Sequence, residues 1–138
     1  MNRQDFQILA EIRVEDARVL LDAHQYSGAY YVCGYAVECA LKACISKQTL
    51  EHDFPSLNKV RQSYTHDFGK LIVRAELGDE LDNQRVTHSE FNKYWEILEG
   101  WPEHARYDHD TTDEQARDLF DAVTDNINGV LTWLRNFW

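Results

Sequence analysis

Proline is nearly missing from this chain: Pro55 and Pro102 are the only two in 138 residues. Glycine is scarce as well, at six. So few chain breakers favour long helices. Hardly any stretch alternates apolar and polar residues as a half-buried strand must, so strands are not expected. Positive charge is also in short supply. Fourteen Lys and Arg face twenty-four Asp and Glu, a formal net charge of −10. The deficit is uneven. Residues 1–66 carry seven basic and eight acidic side chains, so −1, and residues 67–138 carry seven and sixteen, so −9. Such a surface repels phosphate backbones and anionic lipid at long range, so neither DNA nor a membrane is an expected partner. A chain of this kind acting on RNA would need a local basic pocket. Cysteine is limited to Cys33, Cys39 and Cys44. Their spacing fits no zinc pattern, and an odd count fits no disulfide framework. They read as buried thiols. The N-terminal stretch MNRQDFQILAEIRVED is charged and lacks the apolar run of a secretory leader. A cytoplasmic protein is expected.

What the chain does have is one long apolar stretch. Residues 27–47, SGAYYVCGYAVECALKACISK, are apolar on every side except at Glu38 and Lys42. A helix hydrophobic all round is normally buried by its neighbours. A membrane span is the poorer reading, because Lys42 alone would cost about 2.5–3.5 kcal/mol at a bilayer centre. Gly34, Ala36, Ala40 and Ala43 are small and let other backbones approach. Glu38 precedes Lys42 by four residues, the favourable order on a helix. A carboxylate among apolar neighbours needs a cation or several donors. Lys42 can extend away to solvent, so Glu38 is expected to find an Arg elsewhere, with Arg106 the candidate.

Around this element the periodicity predicts a first helix over residues 2–24, with Phe6, Leu9, Ile12, Ala17, Leu20 and Leu21 inward. Ser27 is the expected cap of the central helix. A connection holding Pro55 follows, with a short helical turn near residues 57–61. A third helix opens at His66-Asp67 and runs to about Ala75. Residues 77–86 read as an acidic loop with Gly78 as a C-cap. A fourth helix covers residues 87–98, with Thr87 and Glu90 as a capping box. Residues 100–111 form a polar and aromatic loop. Thr111 or Thr112 caps a last helix whose apolar face runs from Ala116 through Ile127 to Phe137. The expectation is therefore one all-α domain over residues 1–138, an up-and-down helical bundle of four long helices plus a short one.

Four blocks carry a resemblance. GAYYVCGYAVECALKAC (28–44), THDFGKLI (65–72), ARYD (105–108) and GVLTWLRNFW (129–138) together resemble HEPN-domain proteins over about residues 15–138. The resemblance implies a helical bundle that dimerises through its long helices. It also implies a link to prokaryotic stress, defence or toxin–antitoxin systems. Catalytic members of that family are metal-independent ribonucleases with an Arg-x(4–6)-His motif near the start of a late helix. Other members lack the motif and are binding or scaffold modules. A minimal nucleotidyltransferase often accompanies them as antitoxin.

The motif has a chemical logic: a His takes the 2′-hydroxyl proton and an Arg stabilises the charge growing on phosphorus. Arg18–His24 and Arg61–His66 fit the bare spacing, but neither lies where the family carries it. Arg106 and His109 sit in the right region with only two residues between them. Glu38, Lys42, Arg106, Tyr107 and Asp67 are candidates for a ligand pocket or a structural ion pair. Glu103, His104, Asp108, His109 and Asp110 lack tight ligand spacing on a helix, and no metal or cofactor is expected. Trp95, Trp101, Trp133 and Trp138 read as core or dimer contacts. Three function classes stay open. One is a non-catalytic module that binds a nucleotide, an RNA or a partner protein. Another is an Arg/His endoribonuclease. The last is a purely structural dimerisation unit.

Overall fold

The computed structural model describes residues 1–49, 60, 61 and 63–138, without the side chains of Glu103 and Arg106. All regular structure among these residues is helical: α1 (Arg3–Asp22), α2 (Tyr26–Lys47), α3 (Phe68–Arg74), α4 (Gly78–Thr87), α5 (Ser89–Glu99), the tight helix η1 (Glu103–Tyr107), α6 (Asp113–Thr124) and α7 (Val130–Leu134). The all-α expectation holds. The short turn expected near residues 57–61 lies outside the described residues, apart from Val60 and Arg61, which are helical.

Helix α1 starts at a reciprocal cap. Asn2 Oδ1 accepts from the Asp5 backbone, and Asp5 Oδ2 accepts from the Asn2 backbone, both at 2.9 Å. Its buried stripe is Ala10, Val14, Ala17 and Leu21. Ile12, expected inward, is 44% exposed. The helix ends with His24 in the left-handed region at φ 60°. The Gln25 amide donates to the Leu20 carbonyl and the His24 amide to Leu21, the paired closure of a Schellman turn. No Ser27 cap forms. Helix α2 begins one residue earlier, and Ser27 Oγ instead accepts from the Thr111 backbone.

Helix α2 packs against α1, α3, α6, α7 and η1, as its all-round apolar character requires. Gly34 explains one of these contacts. A Cβ there would lie 2.2 Å from the Trp101 ring, so only glycine lets the indole reach the helix backbone. Trp101 Nε1 then donates to the Tyr30 carbonyl at 3.0 Å, and Phe68 from α3 packs 5.3 Å away. Leu41 of α2 and Leu71, Phe91, Leu98, Leu119, Leu131 and Leu134 from other elements are fully buried in the core.

Two expected boundaries fall differently. Residues 77–86 are a helix, not a loop. The αL position is Glu76 at φ 58°, where a second Schellman closure joins Leu77 to Ile72, and Gly78 opens α4. Leu81 is the only buried residue of α4, so no apolar periodicity announces it. Thr87 consequently ends α4, donating to the Asn83 carbonyl, and caps nothing. The last helix is broken in two. Asp125 Oδ2 accepts from the Ile127 and Asn128 amides, and Gly129 sits where a Cβ would meet the Asp125 carbonyl at 2.5 Å. Ile127 points outward at 84% exposure. Thr112 caps α6 reciprocally with Gln115, as expected of it. Arg135 closes the bundle with a two-pronged contact to Glu11, both at 2.9 Å.

Candidate functional site

Tyr31, Tyr35, Glu38 and Lys42 follow one another at spacings of four, three and four, so they share one face of α2. Tyr31 and Tyr35 stack, and Tyr31 also stacks on Trp101. Next along the stripe, Glu38 is only 1% exposed. A carboxylate this buried needs charge-assisted partners on both oxygens. It has them. Lys42 Nζ donates to Oε1 at 2.7 Å, and His66 Nδ1 lies 2.8 Å from Oε2. An ionised carboxylate only accepts, so Nδ1 carries the proton. In the neutral ring, Nε2 is then left as the acceptor. The His66 side chain is 46% exposed, which gives that nitrogen a route to ligands.

Among the described residues the partners of Glu38 are Lys42 and His66. Lys42 does not extend away; its side chain is 20% exposed and stays on the carboxylate. The Arg106 side chain lies outside the described residues. His66 reaches the site because Asp67 starts α3 beside α2. Asp67 Oδ1 accepts from the Lys70 amide at 2.9 Å, so Asp67 serves as a cap. Tyr107 and His109 are exposed, the first within η1 and the second just beyond it.

Two cavities open beside this node. One, of about 470 Å³, is lined by Phe6, Lys42, Ile45, Val60, Val73 and Arg74 among others. The other, of about 840 Å³, is lined by Arg61, Tyr64, Thr65, Asp67, Lys70 and Arg74 among others. Both volumes fall in the range of small-molecule sites. Among the described residues, Arg61, Lys70 and Arg74 form no ion pair. Arg74 Nε is shielded from solvent and has no hydrogen-bond partner there. A shielded donor left unpaired costs about 1–3 kcal/mol. Three cations against one carboxylate, Asp67, line this cavity, a local excess of positive charge in a chain of net charge −10. Chemically the cations can hold an anionic oxygen cluster, while the oriented imidazole of His66 lies outside the lining of both cavities.

Lys70 and Arg74 escaped the sequence reading. The available signal was two cations four residues apart on one short helix, a repulsive pair that folding alone does not favour. The three cysteines are free and buried. Burial pushes all three thiols up, Cys39 and Cys44 to about 11, so none is a nucleophile near neutrality. Among the described residues no three His, Cys, Asp or Glu side chains converge as metal ligands, and no helix is long and apolar enough to cross a membrane.

The fold and this node define a class: a small helical domain built on one buried helix that carries a Glu and a Lys on an otherwise apolar face. The HEPN domain family model matches residues 9–136. The chain belongs to the HEPN family. Neither a curated protein nor a solved structure matches it.

Proposed function

We propose that the chain is a HEPN module of a prokaryotic stress, defence or toxin–antitoxin system, cytoplasmic, that binds a phosphate-bearing ligand, a nucleotide or an RNA, without cleaving it. The observation that carries this is the cavity bounded by Arg61, Lys70 and Arg74, which have no acidic partner among the described residues. Phosphate oxygens are what such a cluster of guanidinium and ammonium groups recognises. A homodimer belongs to the same proposal. Ile8, Ile12 and Val19 stand exposed on α1 and support it, and light scattering tests it. A minimal nucleotidyltransferase is the proposed protein partner, testable by co-purification with the product of a neighbouring gene.

Fluorescence anisotropy with labelled RNA and labelled nucleotide tests the binding. Binding is expected to weaken with salt, with a slope of log K against log salt of about −2 for three phosphate contacts to a single strand. Arg74→Ala should weaken it at least tenfold. Salt-independent binding, or binding indifferent to Arg74, would count against the proposal.

A second reading has one specific support: His66, held through Nδ1 by the buried Glu38, lies five residues after Arg61. That pair could act as base and electrostatic stabiliser in RNA cleavage. Cleavage of end-labelled RNA in EDTA, lost in His66→Ala and in Arg61→Ala, would establish it. Intact RNA at high concentrations of folded protein would remove it.

A further inference from the structure

The smaller cavity, of about 470 Å³, has a charge pattern of its own. Its charged lining is Lys42, Arg74 and Glu76, while Asp67 lines the larger cavity and not this one. Lys42 is already engaged by Glu38 at 2.7 Å. That leaves one cation and one carboxylate, two residues apart at the end of α3. Among the described residues they form no ion pair, with each other or with any other group. Arg74 Nε is shielded from solvent and lacks a hydrogen-bond partner there. Glu76 sits in the left-handed region at φ 58°, a position that closing a helix assigns by preference to glycine. Folding alone does not ask for a carboxylate at that point. The rest of the lining is largely apolar, with Phe6 from α1, Ile45 from α2, Val60, and Val73 from α3. Val60 and Val73 are left exposed to water. An apolar acid entering this cavity would leave Glu76 facing a second carboxylate. An apolar amine would leave Arg74 unanswered. A ligand that answers both carries an ammonium and a carboxylate a bond or two apart, joined to an apolar body. An α-amino acid is the smallest molecule of that description, and the volume lies in the range of small-molecule sites.

We propose that this cavity binds a free α-amino acid with an apolar side chain. The ligand's carboxylate lies on Arg74, its ammonium group on Glu76, and its side chain against Phe6, Ile45 and Val73. The proposal does not rest on the phosphate reading above, although Arg74 lines both cavities. The test is calorimetric titration of the unaltered protein, in phosphate-free buffer, with four probes. These are L-phenylalanine, 3-phenylpropionate (which lacks the ammonium group), phenethylamine (which lacks the carboxylate) and glycine (which lacks the apolar body). L-phenylalanine is expected to bind at least about tenfold more tightly than either single-charge analogue, the effect of losing one charge-assisted contact. It should exceed glycine by a similar factor, from the apolar surface buried. Glu76→Gln keeps the shape of the side chain and removes its charge. That variant should bind L-phenylalanine no better than 3-phenylpropionate, with circular dichroism reporting the fold. The comparison of probes on the unaltered protein stands without any variant. Equal affinity for L-phenylalanine and any of the other three probes would overturn the amino-acid site. So would the absence of binding at millimolar concentrations, or a folded Glu76→Gln protein with unchanged affinity. No probe carries phosphate, so each of these results leaves the phosphate reading standing.

Discussion

Two populations of cations share this molecule. Six of the described Arg and Lys pair with an exposed or half-exposed acid: Arg13 with Asp16, Arg18 with Glu15, Arg85 with Glu99, Lys93 with Glu90, Arg117 with Asp113, Arg135 with Glu11. Arg3, Lys47, Arg61, Lys70 and Arg74 form no ion pair among the described residues, and of these Arg61, Lys70 and Arg74 line one cavity beside α3. The first population belongs to the acidic background, where exposed pairs contribute little. The second is an exception to that background. A net charge of −10 describes the far field, while around α3 three cations share a cavity with one carboxylate, Asp67. Close to that cavity is Glu38, a buried acid whose partners among the described residues are Lys42 and His66.

The comparison can be broken most severely at that boundary. Lys42→Met combined with His66→Ala strips Glu38 of both partners and leaves a buried carboxylate alone. A loss of about 3–5 kcal/mol in urea unfolding is expected. A loss below about 1 kcal/mol would mean that Glu38 finds another donor. The wall behind the site comes next. Gly34→Ala places a methyl group against Trp101 and should cost about 1–3 kcal/mol, with a red shift of tryptophan emission as the indole moves out.

Sharpening the comparison takes a smaller change. Lys70→Glu places a carboxylate four residues before Arg74, replacing a repulsive pair by an attractive one. Stability should rise by about 0.3–0.5 kcal/mol while phosphate binding falls at least tenfold. A variant more stable and less competent would show that the unpaired cations are kept at the expense of stability. A variant unchanged in binding would remove Lys70 from the site. Least affected should be Arg117→Ala, in the paired population, with no measurable shift in the urea midpoint and none in binding.

Much of this was legible in the chain. Helix α2 announced itself because an apolar surface without a polar face has nowhere to go but inside. Asp67 and Thr112 announced their helices because a cap is a local device. Helix α4 was hidden because it buries Leu81 alone, so its pattern is that of a solvated loop. The break at Asp125 was hidden for the opposite reason: Ile127 continues the apolar rhythm across a turn that a side-chain hydrogen bond enforces. At the site, Glu38 was recognisable as a buried acid in need of partners, but which cations answered depended on the approach of α3 to α2. Such an approach is a tertiary fact, and the spacing between Glu38 and His66 in the chain does not encode it.

One measurement addresses the two populations together. Arginine Nε–H resonances of the labelled protein would be followed by NMR while tripolyphosphate is added at constant ionic strength. The signals of Arg61 and Arg74 are expected to move and saturate, while those of Arg85, Arg117 and Arg135 stay in place. Movement of all the arginines in proportion, or of none, would contradict a built phosphate site beside Glu38 and His66.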